Sequence, residues 1–240
     1  MVKILCKSRA WNDEIDKGIK KWFSDFSDWL MNSKIGKGAA KRLNNHATFY
    51  VAQLATYLEF SGRTGEARNL IKTFADTTFQ NSILESGEQP MESKRTKPFH
   101  YQSFNLEALT YIALLSKNIN GINLWETKTK YGTTIQNAID YMISLAGRGV
   151  GEEDITTLLP ALYKSRDHYG DESGRYTNEI NKILKKTNGA SEWWTVYSPK
   201  SVSDNNPCCL DMENSGAVLL GTSLYGFLSL SLGIFFAFLI

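Results

Sequence analysis

Apolar residues recur at three- and four-residue steps along most of the chain. Ile15, Ile19, Trp22, Phe23, Phe26, Trp29 and Leu30 fall on one face of a helix predicted over residues 12–30. Such an aromatic stripe reads first as a face turned to the core, and second as a face on which a Trp offers a stacking platform to a ligand. A second helix is predicted over 44–59. A third covers 66–76, with Ala67, Leu70, Ile71 and Phe74 facing inward. Ser61 to Gly65 read as a short turn between these two helices, with Gly62 at the C-cap, and a turn that short makes antiparallel neighbours. Residues 104–115, 134–146, 154–169 and 177–185 repeat the pattern, the second of them with Ile135, Ala138, Ile139, Met142 and Ile143 on one face. No alternation of apolar and polar residues is long enough for a strand. The expected architecture is all-α, built of stacked antiparallel helix pairs.

Two segments depart from this periodicity. Residues 78–100 contain Gly87, Pro90 and Pro98 and few apolar positions, and so long a connection in a helical domain is usually functional or disordered. Residues 198–216, rich in Ser, Asn and Pro at their start, read as a linker. They lead from a helical domain spanning 1–197 to an uncharged C-terminal stretch, 217–240.

Composition narrows the partners. With 42% hydrophobic residues, 240 residues can bury one sizeable core, and a net charge of +2 without a basic stripe argues against nucleic acid. Cys6, Cys208 and Cys209 are too few for a disulfide framework and lack metal-ligand spacing, so no structural metal is expected. Residues 1–10 do not have the apolar region of a secretory signal. The tail is long enough to cross a bilayer, yet it ends without a basic cluster. Asn214, Ser215 and Gly216 followed by a spacer and an apolar end also fit a glycosylphosphatidylinositol attachment signal. Either reading puts the protein at a membrane through its C-terminal tail.

Candidate chemistry lies in two clusters. Asn44, Asn45 and His46 open the helix over 44–59, and Tyr50 follows His46 by one turn on the same face. One Asn here is explained by capping, and His46 could equally be a hydrogen-bonded core residue. Arg95, Lys97, His100 and Tyr101 stand within seven residues at the end of the long loop, a mixture able to neutralise an anion and move protons.

Three stretches in order carry a family resemblance: Asn44 to Tyr50; Gly87 to Glu92 followed by Arg95 to Leu109; and Gly121 to Trp125. They resemble successive motifs of the alginate lyase family, and the likeness runs from about Trp22 to Ala146, continuing more weakly toward Tyr197. It implies an incomplete (α/α) toroid of antiparallel helix pairs, N-terminally truncated, whose cleft binds an acidic polysaccharide. It also implies cleavage of a polyuronate by β-elimination to leave a 4,5-unsaturated uronate end, with no cofactor.

By motif, Asn45 and Arg95 would neutralise the substrate carboxylate, His46 would act beside them as neutraliser or base, and Tyr101 would carry the proton. Asn44, Gln53, Gln89 and His100 would contact sugars, and Trp22 and Trp29 would stack on them. The chain departs from the family pattern at Ala47, Phe49 and Val51, positions that bear on substrate preference. With the apolar tail, the resemblance implies a secreted protein held at the cell surface. The alternative is a non-catalytic glycan-binding or cell-wall protein with the same fold. A cytosolic helical scaffold is a third reading, weakened by the tail.

Overall fold

Two helices are buried on almost every side, and the rest of the fold is arranged around them. In the computed structural model, which describes residues 11–119 and 122–187, the helices in chain order are α1 (Asp13–Asn32), α2 (Lys34–Ala40), α3 (Asn45–Phe60), α4 (Thr64–Asp76), α5 (Pro90–Ser93), α6 (Pro98–Asn118), α7 (Ile135–Arg148), α8 (Leu159–Tyr169) and α9 (Arg175–Lys186). Short 3-10 turns cover Thr78–Asn81 and Ile155–Leu158. No strand occurs among the described residues. These residues all lie in one unit, residues 1–201. The cysteines, the linker and the apolar tail lie outside the described residues, and no described helix is long and apolar enough to cross a membrane.

The central pair is α3 and α6, which pack on each other. In α3, Ala47, Phe49, Val51, Ala52, Leu54, Ala55, Tyr57 and Leu58 are buried, and in α6 Phe99, Leu106, Ala108, Leu109, Ile112 and Ala113 are. Burying one such Leu or Phe contributes about 1.5–3 kcal/mol, so these helices are held by packing on all sides. Each leaves a single half-open stripe, at His46, Tyr50 and Gln53 on α3 and at Tyr101, Phe104, Glu107 and Tyr111 on α6. Helices α1 and α4 flank α3, while α7, α8 and the turn at 155–158 flank α6. Trp125, from the third motif stretch, is fully buried and stacks on His168 with ring centres 4.4 Å apart. It anchors the loop before α7, where Tyr169 donates its hydroxyl hydrogen to the Trp125 carbonyl at 3.1 Å.

Several boundaries differ from the expectations. Helix α6 starts at Pro98, six residues earlier than the apolar period indicates, because proline suits the first turn and a distant carboxylate serves the freed N–H groups. The helix expected over 154–169 is divided into a 3-10 turn and α8, with Pro160 in the first turn of α8. Helix α2 went unseen because its sequence, KIGKGAA, has two glycines and almost no apolar period. It starts at Ser33, whose hydroxyl accepts from the Gly36 N–H at 3.0 Å.

The aromatic stripe of α1 is not simply a core face. Leu30 is buried, but Ile15, Trp22 and Trp29 are exposed, the two tryptophans at 52% and 43%. Trp22, Phe26 and Trp29 form a ladder of nearly parallel rings with centres 5.2 and 5.4 Å apart. Phe23 turns the other way, onto Tyr57 and Phe60 of α3.

Candidate active site

The long loop before α6 carries the charged residues, and Gly87, Gln89 and Glu92 are three of its tethers. Gly87 has φ +87° and its Cα sits against α7, where an added Cβ would come within 2.3 Å of the Asn137 carbonyl oxygen. Gln89 donates its backbone N–H to Gln102 Oε1 and its side-chain Nε2 to the Gln102 carbonyl, both at 3.1 Å. Its Oε1 in turn accepts from Asn105 Nδ2 at 2.8 Å. With 1% exposure and both ends of its amide bonded to α6, Gln89 braces the loop.

The third tether is Glu92. Its Oε1 accepts the Asn45 backbone N–H at 2.5 Å and its Oε2 accepts Asn45 Nδ2 at 3.0 Å. The first amides of a helix have no partner within it, so a carboxylate at the N-terminus of α3 satisfies one of them and meets the positive end of the helix dipole. Glu92 is 1% exposed, and burial raises its pKa to about 7 against the opposing pull of the Asn45 N–H and of Arg95. Asn45 is itself fully buried, and its Oδ1 has no hydrogen-bond partner in the structure. Its amide is thus engaged through Nδ2 by Glu92, while Oδ1 is left without a hydrogen bond.

Asn44 is the N-cap of α3. Its Oδ1 accepts the His46 backbone N–H at 3.3 Å and lies 3.1 Å from His46 Nδ1. An amide oxygen carries no hydrogen and can only accept, so the neutral imidazole carries its proton on Nδ1 and its lone pair on Nε2. Burial first, then the positive charges of Arg95 and Arg42, lower the His46 pKa. His46 is therefore neutral near pH 7, which suits a base better than a charge neutraliser.

Arg95 lies between these groups. Its guanidinium carbon is 4.0 Å from the centre of the Tyr101 ring, Nη1 is 4.0 Å from Glu92 Oε2, and Nη1 is buried without a hydrogen-bond partner. His100 stacks on Phe104 and meets Tyr101 edge-on. Burial first and then Lys97 lower its pKa. Phe104 also contacts Phe49 of α3 at 4.1 Å between ring centres, joining the α6 stripe to the core of α3. Gln53 lies on the α3 stripe, two turns from His46 and half-buried.

The expected residues thus gather unequally. Asn44, Asn45, His46, Arg95, His100 and Tyr101 form one cluster. The ladder of Trp22, Phe26 and Trp29 rests through Phe26 on Tyr57, eleven residues or about 16 Å along α3 from His46. The sequence reading missed the two acidic anchors, Glu92 and Glu153. Glu153 accepts the Phe99 and His100 N–H groups at 3.3 and 2.8 Å, serving α6 as Glu92 serves α3. Neither lies near its helix in sequence, so no capping signature marks it. Among the described residues, no group of three or more His, Cys, Asp or Glu is placed to hold a metal.

Residues 1–150 match the family model described as Alginate lyase. The chain belongs to the alginate lyase family. Every candidate residue of the cluster lies within the matched stretch, and the all-α helix-pair architecture is the one the family resemblance implies. Among solved structures, the chain is similar to an alginate lyase from Bacteroides ovatus, with 22% identity and a TM-score of 0.67, over 74% of this chain and 49% of that one. At that identity the likeness shows the shared fold. The chain spans about half the length of that alginate lyase. No curated protein matches it.

Proposed function

We propose that the cluster is the active site of a polysaccharide lyase that cleaves a polyuronate such as alginate by β-elimination. The observation that carries this reading is the Arg95 guanidinium stacked on the Tyr101 ring, with Nη1 not engaged by any hydrogen bond. A buried guanidinium donor without a partner is suited to a planar carboxylate.

The chemistry needs such a group. Loss of the proton on C5, beside the uronate carboxylate, pushes charge onto that carboxylate, and Arg95 is placed to stabilise the charge as it grows. The electrons of the broken C5–H bond form the C4=C5 double bond as the C4–O bond breaks, and the leaving oxygen takes up a proton. Tyr101 supplies the proton carrier on one face of Arg95, taking the C5 proton and returning one to the leaving oxygen. His46, neutral beside the same cation, supports it as a second base. Gln53 and His100 flank the cluster as sugar contacts, and the Trp22–Phe26–Trp29 ladder offers aromatic edges at a distance to a longer polymer.

The engaged, buried amide of Asn45 favours one alternative, a glycan-binding protein that keeps the fold without turnover. One assay separates the two. Folded protein is incubated with polymannuronate, polyguluronate and polyglucuronate separately, and ultraviolet absorbance of the conjugated product is followed. A rise with any substrate supports the lyase and names its class, while retention of the polymer without a rise supports the binding protein.

A further inference from the structure

We propose that Glu92 is a positioning residue of this site, joining the first turn of α3, which carries Asn45 and His46, to the loop that carries Arg95. The proposal rests on the lyase reading for its effect on turnover, but the contacts that make it are independent of that reading. Glu92 receives two hydrogen bonds from Asn45 across 47 residues of sequence and stands 4.0 Å from Arg95 Nη1, with only 1% of its surface exposed. A carboxylate buried this deeply costs free energy unless it is paired, and here the two Asn45 donors and Arg95 supply the pairing.

Three consequences follow from that geometry. First, the Asn45 amide orientation is set: Nδ2 points at Glu92, and Oδ1 is directed away from it. Second, the backbone of α3 is fixed at its first residue, and with it the direction of His46. Third, Arg95 is drawn toward Glu92 on one side while Tyr101 of α6 lies under its guanidinium, so the cation keeps one place between two elements. Arg95 is the charged group that faces Glu92, α3 contributes the two Asn45 donors, and α6 contributes Tyr101 through Arg95.

Replacing Glu92 by Gln keeps the volume but puts an amide NH2 against one of two Asn45 donors, so one hydrogen bond is lost or the Asn45 amide turns over. The test compares wild type, Glu92→Gln and Glu92→Asp by steady-state elimination on the polyuronate that wild type cleaves, with circular dichroism to establish folding. We expect kcat of Glu92→Gln to fall by about 10- to 100-fold with KM changed less than about threefold, because the neutralising contact strengthens in the transition state. We expect Glu92→Asp to recover part of the loss. Unchanged kcat in folded Glu92→Gln would overturn the proposal.

A second arm does not need turnover. In a proton–nitrogen correlation spectrum, the Asn45 backbone and side-chain amide signals should both be displaced in Glu92→Gln relative to wild type at the same pH, because each donates to a Glu92 oxygen. Asn45 signals in the same place in the two proteins would overturn the proposal even if the enzyme is active. Displaced signals together with a wild type that cleaves no polyuronate would defeat the lyase reading and leave the Glu92 link standing.

Discussion

The guanidinium carbon of Arg95 lies over the ring of Tyr101, 4.0 Å from its centre. A cation over an aromatic face gains about 0.5–2 kcal/mol. The pairing therefore fixes the anion-reading group and the proposed proton carrier in one arrangement before any substrate arrives.

Tyr101→Phe keeps the ring under Arg95 and removes only the hydroxyl. Turnover on a cleavable polyuronate is expected to fall by at least about 100-fold, the scale of general acid–base catalysis. Affinity for an oligouronate, measured by calorimetry, is expected to stay within about threefold. Full turnover in the variant would remove Tyr101 from the reaction.

Arg95 allows charge and shape to be separated. Arg95→Lys keeps a cation but loses the planar, forked donor set, and Arg95→Ala loses both. The expected order of kcat/KM is wild type, then Lys about 10-fold lower, then Ala lower by about 100-fold or more. Equal activity in wild type and Arg95→Lys would show that the stacking has no catalytic weight.

What a local reading of the chain finds is separated from what it does not by whether the contact is made within one helix or between distant ones. Helices α3, α4 and α7 were legible because their buried faces recur at helical spacing, Ala67, Ile71 and Phe74 in α4 being one case. The cluster of Arg95, His100 and Tyr101 was legible as an unusual concentration of charge and aromaticity. Glu92 and Glu153 were not, because each acts on a helix about fifty residues away, and only tertiary packing brings carboxylate and amide together. The burial of Asn45 and Gln89 was hidden for the same reason: an amide looks alike in sequence whether it meets a sugar or another amide. The exposure of Trp22 and Trp29 runs the other way, since a helical stripe wider than its packing partner leaves part of itself in solvent.

His168 gives a pH prediction. Burial first and Lys117 second lower its pKa to about 4, so the folded protein keeps it neutral while the unfolded chain protonates it near 6.5. Between those values the unfolded state binds more protons, and stability falls as pH falls through the window. His168→Phe keeps a ring on Trp125 and removes the titration. In urea melts between pH 7 and pH 4.5, the variant is expected to lose less stability than wild type. His46 and His100, also lowered, leave a residual slope in both proteins. Parallel curves for the two proteins would show that His168 does not contribute.

Gly87 gives a prediction about the loop. Alanine there meets both a positive φ of +87° and the Asn137 carbonyl oxygen at 2.3 Å. The strain and the clash should cost about 2 kcal/mol or more, lowering Tm by about 4–8 °C for a domain of this size. Because the same loop carries Arg95, kcat/KM should fall as well. A variant with unchanged Tm would mean that α7 yields freely to the loop.

The two carboxylates that cap α3 and α6 also make each central helix depend on a remote part of the chain. Each ties residues about fifty apart, 47 for Glu92 and 53 for Glu153 with His100, so the start of each helix is completed by tertiary contact and not by its own sequence. A fragment that lacks either partner segment would leave first-turn amides of α3 or α6 without their carboxylate, whatever helix it keeps.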